Sequence, residues 1–239
     1  MKKLMTAIGL SAALLACAGS AQAADLSAKQ AGIVAIAAQT AVGDLQKLRT
    51  ELIKGLEAGL TVNEIKEVLV QLYAYTGFPR SLNGINTFMK VIDERTKAGI
   101  KDPVGKEASA LPANLDKDAY GARMRADLGG RKEIPPAAGY QLFAPAIDTF
   151  LKEHLFCDIF IRDNLDHQSR ELATIGALAA MTGTQGQLVF HMNAAMNTGT
   201  DENQMKQFVE VIGQQINQAQ KDSAQSVLDR VLKQRTSKK

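Results

Sequence analysis

Slid along itself until Gly43 falls on Gly183, the chain meets its own pattern. At that one offset Leu48 falls on Leu188, Gly59 on Gly199, Asn63 on Asn203 and Lys66 on Lys206. The apolar positions follow in register, with Ile65, Val68, Leu69 and Leu72 landing on Met205, Phe208, Val209 and Ile212. These stand at i, i+3, i+4 and i+7, one side of an α-helix. The helix start returns in kind. Thr61 with Glu64, and Asp201 with Gln204, form capping boxes in which two side chains satisfy free amides of the first turn. A gapless match that carries both caps and apolar face is read as a tandem duplication of one helical unit. No stretch alternates apolar and polar residues between hairpin turns, so strands are not expected. The fold class is all-α.

Residues 1–23 stand apart from this pattern. Lys2 and Lys3 precede an apolar run from Leu4 to Ala16 that is short for a membrane span, and Ala21-Gln22-Ala23 is a small-x-small cleavage site. The reading is a secretory signal peptide, a mature chain from Ala24 and a periplasmic or secreted location. Leu14-Leu15-Ala16-Cys17 offers the alternative, a lipoprotein box in which Cys17 is acylated; otherwise no membrane association is expected. The whole chain has 28 basic and 25 acidic residues, and loss of the two leader lysines brings it close to neutrality. That balance gives no electrostatic footprint for nucleic acid. Cleavage after Ala23 leaves Cys157 as the single cysteine, so no internal disulfide supports the fold. Its neighbours Leu155, Phe156 and Ile159 suggest a buried thiol.

Between the copies the texture changes. Pro103, Pro112, Pro135 and Pro136, with glycines and many charges, read as a linker holding one helix from Leu115 to Leu128. Helical periodicity resumes from Tyr140 to Phe156. The domain division is a signal peptide at 1–23, a first repeat at 24–99, a linker at 100–139 and a second repeat with a C-terminal helix at 140–239.

The segment "EHLFCDIFIRDNLDHQSRELATIGALAAM", followed by "HMNAAMNTGTDENQMKQF", resembles the carboxymuconolactone decarboxylase family of the alkylhydroperoxidase-D-like superfamily. The resemblance rests on the Leu-Phe-x-Asp-Ile-Phe-x-Arg run, the Arg-Glu-Leu helix start and the His-x-x-x-Ala-x-x-x-Gly helix. "YAYTGFPRSLNG", Tyr73 to Gly84, resembles a helix end of the same family. It implies two tandem alkylhydroperoxidase-D-like units packed as an intramolecular pseudo-dimer, and a homo-oligomer, a trimer or other. It also implies a small-molecule pocket between helices. Two chemistries come with it: lactone decarboxylation, and thiol-dependent peroxide reduction by Glu, eleven residues, Cys-x-x-Cys and a nearby histidine. Eleven residues on from Glu171 the two cysteine positions are Gly183 and Gly186, so the dithiol is missing.

What survives of that motif is Glu171 and His191, a pair able to move a proton beside a carbonyl or lactone. The resemblance assigns them catalytic roles, and makes Arg162 a candidate to hold a substrate carboxylate bidentately. Each also has an ordinary structural explanation. Glu171 is placed in a first helical turn, where the dipole favours carboxylates; His191 could be a satisfied core histidine, and Arg162 a surface ion-pair partner. Spacing alone argues against contact. In a straight antiparallel hairpin Glu171 would stand roughly 18 Å from the turn and His191 about 8 Å, so only crossed helices bring them together. At the offset that joins the copies His191 meets Glu51 and Glu171 meets Ala31, while Tyr75 and Phe78 meet Gln215 and Gln218. Each copy keeps what the other lacks. The expectation is a composite pocket in which Tyr75 and Phe78 wall the glutamate–histidine pair and bind substrate; the alternative is that Pro79 stops a helix and the aromatics fill core.

The functional expectation is acid–base chemistry, decarboxylase or lactone-type, on a small carboxylated or lactone substrate, with no cofactor and no metal. If active, the protein is a carboxy-lyase-like enzyme. The alternatives are a non-catalytic helical binding or assembly protein on the same fold, and a thiol peroxidase-type antioxidant that would depend on Cys157.

Overall fold

The computed structural model describes residues 25–237. The leader at 1–23 and Cys17 lie outside the described residues. Among those described the secondary structure is helical, without a strand, and no helix is long and apolar enough to cross a membrane.

Two helices form the centre. Helix α1 (Ala28–Val42) starts at a Ser27–Gln30 capping box and ends at Gly43, whose left-handed φ of 79° lets its amide donate back to Gln39 and Thr40. Helix α7 (His167–Ala180) starts at Asp166, whose carboxylate accepts from the Ser169 amide. The two pack on each other more extensively than any other pair, and small residues make this possible. A Cβ at Gly176 would stand 2.9 Å from the Val34 carbonyl oxygen. Both helices are buried over most of their length, from Ile33 to Ala41 and from Arg170 to Ala180. A helix apolar all round belongs inside, and its neighbours must be one-sided.

Those neighbours are amphipathic. Helix α2 (Leu45–Glu57) covers α1 through Leu48, Leu52 and Leu56, and α3 (Val62–Lys97) lies on both α1 and α7. Helix α8 (Gln185–Asn197) packs on α7, α9 (Glu202–Gln215) on α1, and α10 (Gln218–Thr236) on α8 and α9. Helices α2 and α8 begin at Leu45 and Gln185, and α3 and α9 at Val62 and Glu202, the same offset that superposes the two copies in sequence. Both capping boxes expected at α3 and α9 are formed.

Helix α3 has two limbs. Gly77, at φ 77° and ψ 160°, breaks it just ahead of Pro79, whose ring would otherwise clash with a carbonyl of the preceding turn. The second limb folds back across the first, and the Ser81 hydroxyl donates to the Leu69 carbonyl at 2.8 Å. Tyr75 and Phe78 therefore stand on opposite sides of a break.

The stretch after α3 straps the molecule. Val62 and Asn63 donate their amides to the carbonyls of Pro103 and Val104, both at 2.9 Å, so the strap occupies free donors of α3's first turn. It continues to Asp163, which pairs with Lys106 and accepts from the Ser109 amide at 2.8 Å. Helix α4 follows over Lys117–Leu128. The helical stretch expected from Tyr140 to Phe156 is formed as three pieces. Helix α5 (Tyr140–Phe143) ends at Ala144, which Pro145 holds in an extended conformation before α6 (Pro145–Thr149). A π-helix then runs over Phe150–Ile159. With α4 and α8 it encloses a second, smaller core of Leu128, Leu155, Phe156, Ile159, Phe160 and Ala194.

Gly121 is where α4 meets the π-helix. A Cβ built there would sit 1.8 Å from the Lys152 carbonyl oxygen, so one backbone must move to admit any side chain. Gly121→Ala is expected to destabilise the chain by about 1–3 kcal/mol, the range for overpacking. A urea midpoint equal to that of the native chain would contradict this close approach.

Candidate active site

Glu171 lies in the second turn of α7, not the first, because Asp166 is the cap and His167 the first helical residue. It is 0 % exposed, so the helix dipole at the surface does not account for it. His191, on α8, is 5 % exposed. Glu171 Oε2 and His191 Nδ1 are 2.8 Å apart. Helices α7 and α8 pack on each other, and the side chains of a residue near the start of one and a residue in the middle of the other meet. The turn is locked by the Thr184 hydroxyl, which donates to the Leu178 carbonyl at 2.7 Å.

With the proton on Nδ1, the imidazole donates to the carboxylate and presents the Nε2 lone pair. Nε2 makes no hydrogen bond with any described residue. Two rings fix the imidazole plane. Phe190 meets it edge-on at 5.0 Å and 90°, and Tyr75 at 5.5 Å and 84°. Tyr75 thus comes from the first half of the chain to the pair in the second. Its hydroxyl and Glu171 Oε1 are both buried without a hydrogen-bond partner among the described residues. Burial first, and then the charge of Glu171, push the Tyr75 phenol far above its ordinary pKa, with Thr174 and Arg170 opposing weakly. The phenol keeps its proton across any working pH and remains a donor.

Phe78 does not join them. The break at Gly77 turns it away, and it stacks on Tyr73 at 4.4 Å with 62 % of its surface exposed. Arg162 is also elsewhere, committed to a partner. Its Nε and Nη2 hold Glu67 Oε1 and Oε2 at 2.8 and 2.9 Å, the bidentate geometry expected for a substrate carboxylate but made within the protein. Glu67 also accepts from Asn164 at 3.0 Å and from the fully buried Arg170 at 2.9 Å. Gln71 completes the cluster, accepting from Arg170 and donating to the Arg170 carbonyl and Thr174. This network sets the height of α7 against α3, and so the position of Glu171, the residue next to Arg170. The Arg-Glu-Leu motif signalled Arg170, but nothing local marked Glu67 as its partner.

Among the described residues no three His, Cys, Asp or Glu side chains converge as metal ligands. Cys157 is free and buried in the π-helix. Burial, then the charge of Asp158, raises its thiol pKa, which disfavours the thiolate. Cys157 is therefore expected to react with iodoacetamide in the native protein at least tenfold more slowly than in urea; equal rates would restore the thiol reading.

Tyr75 borders one further feature. A groove of about 540 Å³ runs between the α3 break, with Tyr75, Thr76 and Arg80, and the end of α7, with Met181 and Thr182. The pair and the groove share the tyrosine.

Residues 145–226 match the family model described as the carboxymuconolactone decarboxylase family. The match includes Glu171, His191 and Arg162 and leaves Tyr75 and Phe78 outside it. No curated protein matches the chain significantly.

Proposed function

We propose, from the match of residues 145–226 to the model of the carboxymuconolactone decarboxylase family, that this chain moves a proton at carbon beside the carbonyl of a small carboxylated or lactone substrate, using Glu171 and His191. The observation that carries the proposal is the buried 2.8 Å contact between Glu171 Oε2 and His191 Nδ1. Glu171 orients the ring and balances the charge that develops when Nε2 takes a proton. His191 is the acid–base group. In a decarboxylation the bond from carbon to carboxylate breaks, carbon dioxide leaves, and its electron pair enters an enolate. Carbon then takes the proton that Nε2 first received from the substrate's own carboxylic acid group, so the ring ends neutral, as it began. Such an intermediate needs a donor at its oxygen, and a phenol that stays protonated is suited to the task. Tyr75 is that donor.

The carboxy-lyase activity, the extracytoplasmic location and the descent of both halves from one duplicated unit are parts of the same proposal. The helix starts that recur at one constant offset support the last of these. The test is a panel of carboxylated γ-lactones and 3-oxo acids, followed by proton NMR and carbon dioxide release for the native chain and for His191→Gln. Turnover by the native chain and its loss in the variant support the reading. Equal rates with both proteins folded, or no turnover of any panel member, would move the protein to the non-catalytic binding class.

A further inference from the structure

We propose that Arg80 is the carboxylate anchor of this protein, and that the groove beside Tyr75 takes a small organic carboxylate. The inference rests on the acid–base reading of Glu171 and His191, and it assigns to another residue the role that Arg162 does not fill.

Four observations converge. Arg80 is the charged residue among those lining the groove, and no acidic side chain lines it with Arg80. Arg80 is exposed and makes no ion pair or hydrogen bond with a described residue, unlike Arg162 and Arg170, which share Glu67. It stands in the first turn after the break at Gly77, at the N-terminal end of the new limb, where the helix dipole is positive. The groove, at about 540 Å³, is the size of a small-molecule site. Its other walls suit a short, partly apolar ligand: the Tyr75 ring, Met181, and the Thr182 hydroxyl as a second donor or acceptor.

A guanidinium in such a place selects a planar anion by two parallel hydrogen bonds, which a neutral ester cannot accept with the same charge. A carboxylate held by Arg80 lays the remainder of the molecule along Tyr75, the residue that also touches His191. The shape selected is a carboxylate at one end and a carbonyl-bearing carbon a few bonds away.

The test is binding, not turnover. Three acids are titrated calorimetrically into the native chain: 5-oxotetrahydrofuran-2-carboxylate, 4-oxopentanoate and benzoate, each beside its methyl ester. At least one acid is expected to bind about tenfold or more tightly than its ester, as a charged hydrogen bond requires. Arg80→Gln should abolish that preference and Arg80→Lys should keep part of it, with thermal midpoints unchanged because the side chain is exposed. His191→Gln should leave it intact. If no acid outbinds its ester in the native chain, or if Arg80→Gln keeps the preference, the anchor is wrong, whatever turnover is found. An Arg80-dependent preference without turnover at Glu171 and His191 would leave the anchor standing and remove the catalytic reading.

Discussion

Arg170→Met is expected to lower the stability of the folded chain by about 3–5 kcal/mol, the cost of removing one partner from a buried charge pair. Arg170 is 0 % exposed and Glu67 2 % exposed. The substitution removes a 2.9 Å charge-assisted bond to Glu67, a 3.0 Å bond to Gln71 Oε1 and a 2.6 Å bond to the Arg162 carbonyl. Glu67 would keep Arg162 and Asn164, but Gln71 Oε1 would lose its donor inside the protein. Arg162→Gln should cost clearly less, since that side chain is 37 % exposed and water can replace it. The same cluster sets an acid sensitivity. Burial alone would raise the Glu67 carboxyl; the Arg162 hydrogen bond, the Arg170 charge and the Asn164 hydrogen bond outweigh it and hold the pKa below its ordinary value. A depressed carboxyl stabilises the fold above its unfolded-state value and loses that contribution as pH falls through the folded-state value. Urea midpoints of the native chain should therefore fall steeply below about pH 4. Glu67→Gln should be weaker at neutral pH and show less of that decline. A variant with the native slope would show that Glu67 is not the group responsible.

The second large effect is on chemistry. Glu171→Gln and His191→Gln are each expected to reduce turnover by about 10²–10⁴-fold, the usual worth of a positioned acid–base group. Glutamine preserves a polar partner at each end of the 2.8 Å contact, so the fold should survive both changes. The carboxylate acts only through the imidazole, and residues that act as one unit do not contribute additively. The double variant should be no slower than the worse single one. A product of two independent losses would mean that Glu171 reaches the substrate itself.

Much of the fold was legible before any coordinates. Capping boxes and the i, i+3, i+4, i+7 spacing are local, and Thr61, Asp201 and the helices behind them could be placed from a few residues each. The π-helix was not legible: it packs against α4, from a distant part of the chain, with Gly121 close to the Lys152 backbone, and no local pattern marks it. The site divides along the same line. Glu171 and His191 were singled out by a motif, yet the rise of a straight helix, counted residue by residue from the turn, keeps them apart. The contact that joins them is a property of the packed helices. Tyr75 was expected as a wall, and its ring does meet His191. Phe78 was expected beside it, but three residues of helix and three residues across a left-handed glycine end on different faces. Arg162 was matched to its motif, while Glu67 lies 95 positions distant and bears no local mark of the pairing. Arg80 stood in the quoted "GFPRSLNG" as the residue after a proline. Only the groove shows what surrounds it.

The central claim is that the Glu171–His191 pair transfers a proton to and from carbon. The most direct measurement is deuterium uptake at the carbon beside the lactone carbonyl of 5-oxotetrahydrofuran-2-carboxylate, followed by proton NMR in deuterium oxide. It requires no knowledge of the natural substrate and no net reaction. The native chain is expected to accelerate exchange well above buffer, with the acceleration lost in His191→Gln and retained in Cys157→Ala. Exchange at the buffer rate with the native chain, or undiminished exchange in the folded His191→Gln variant, would contradict the account.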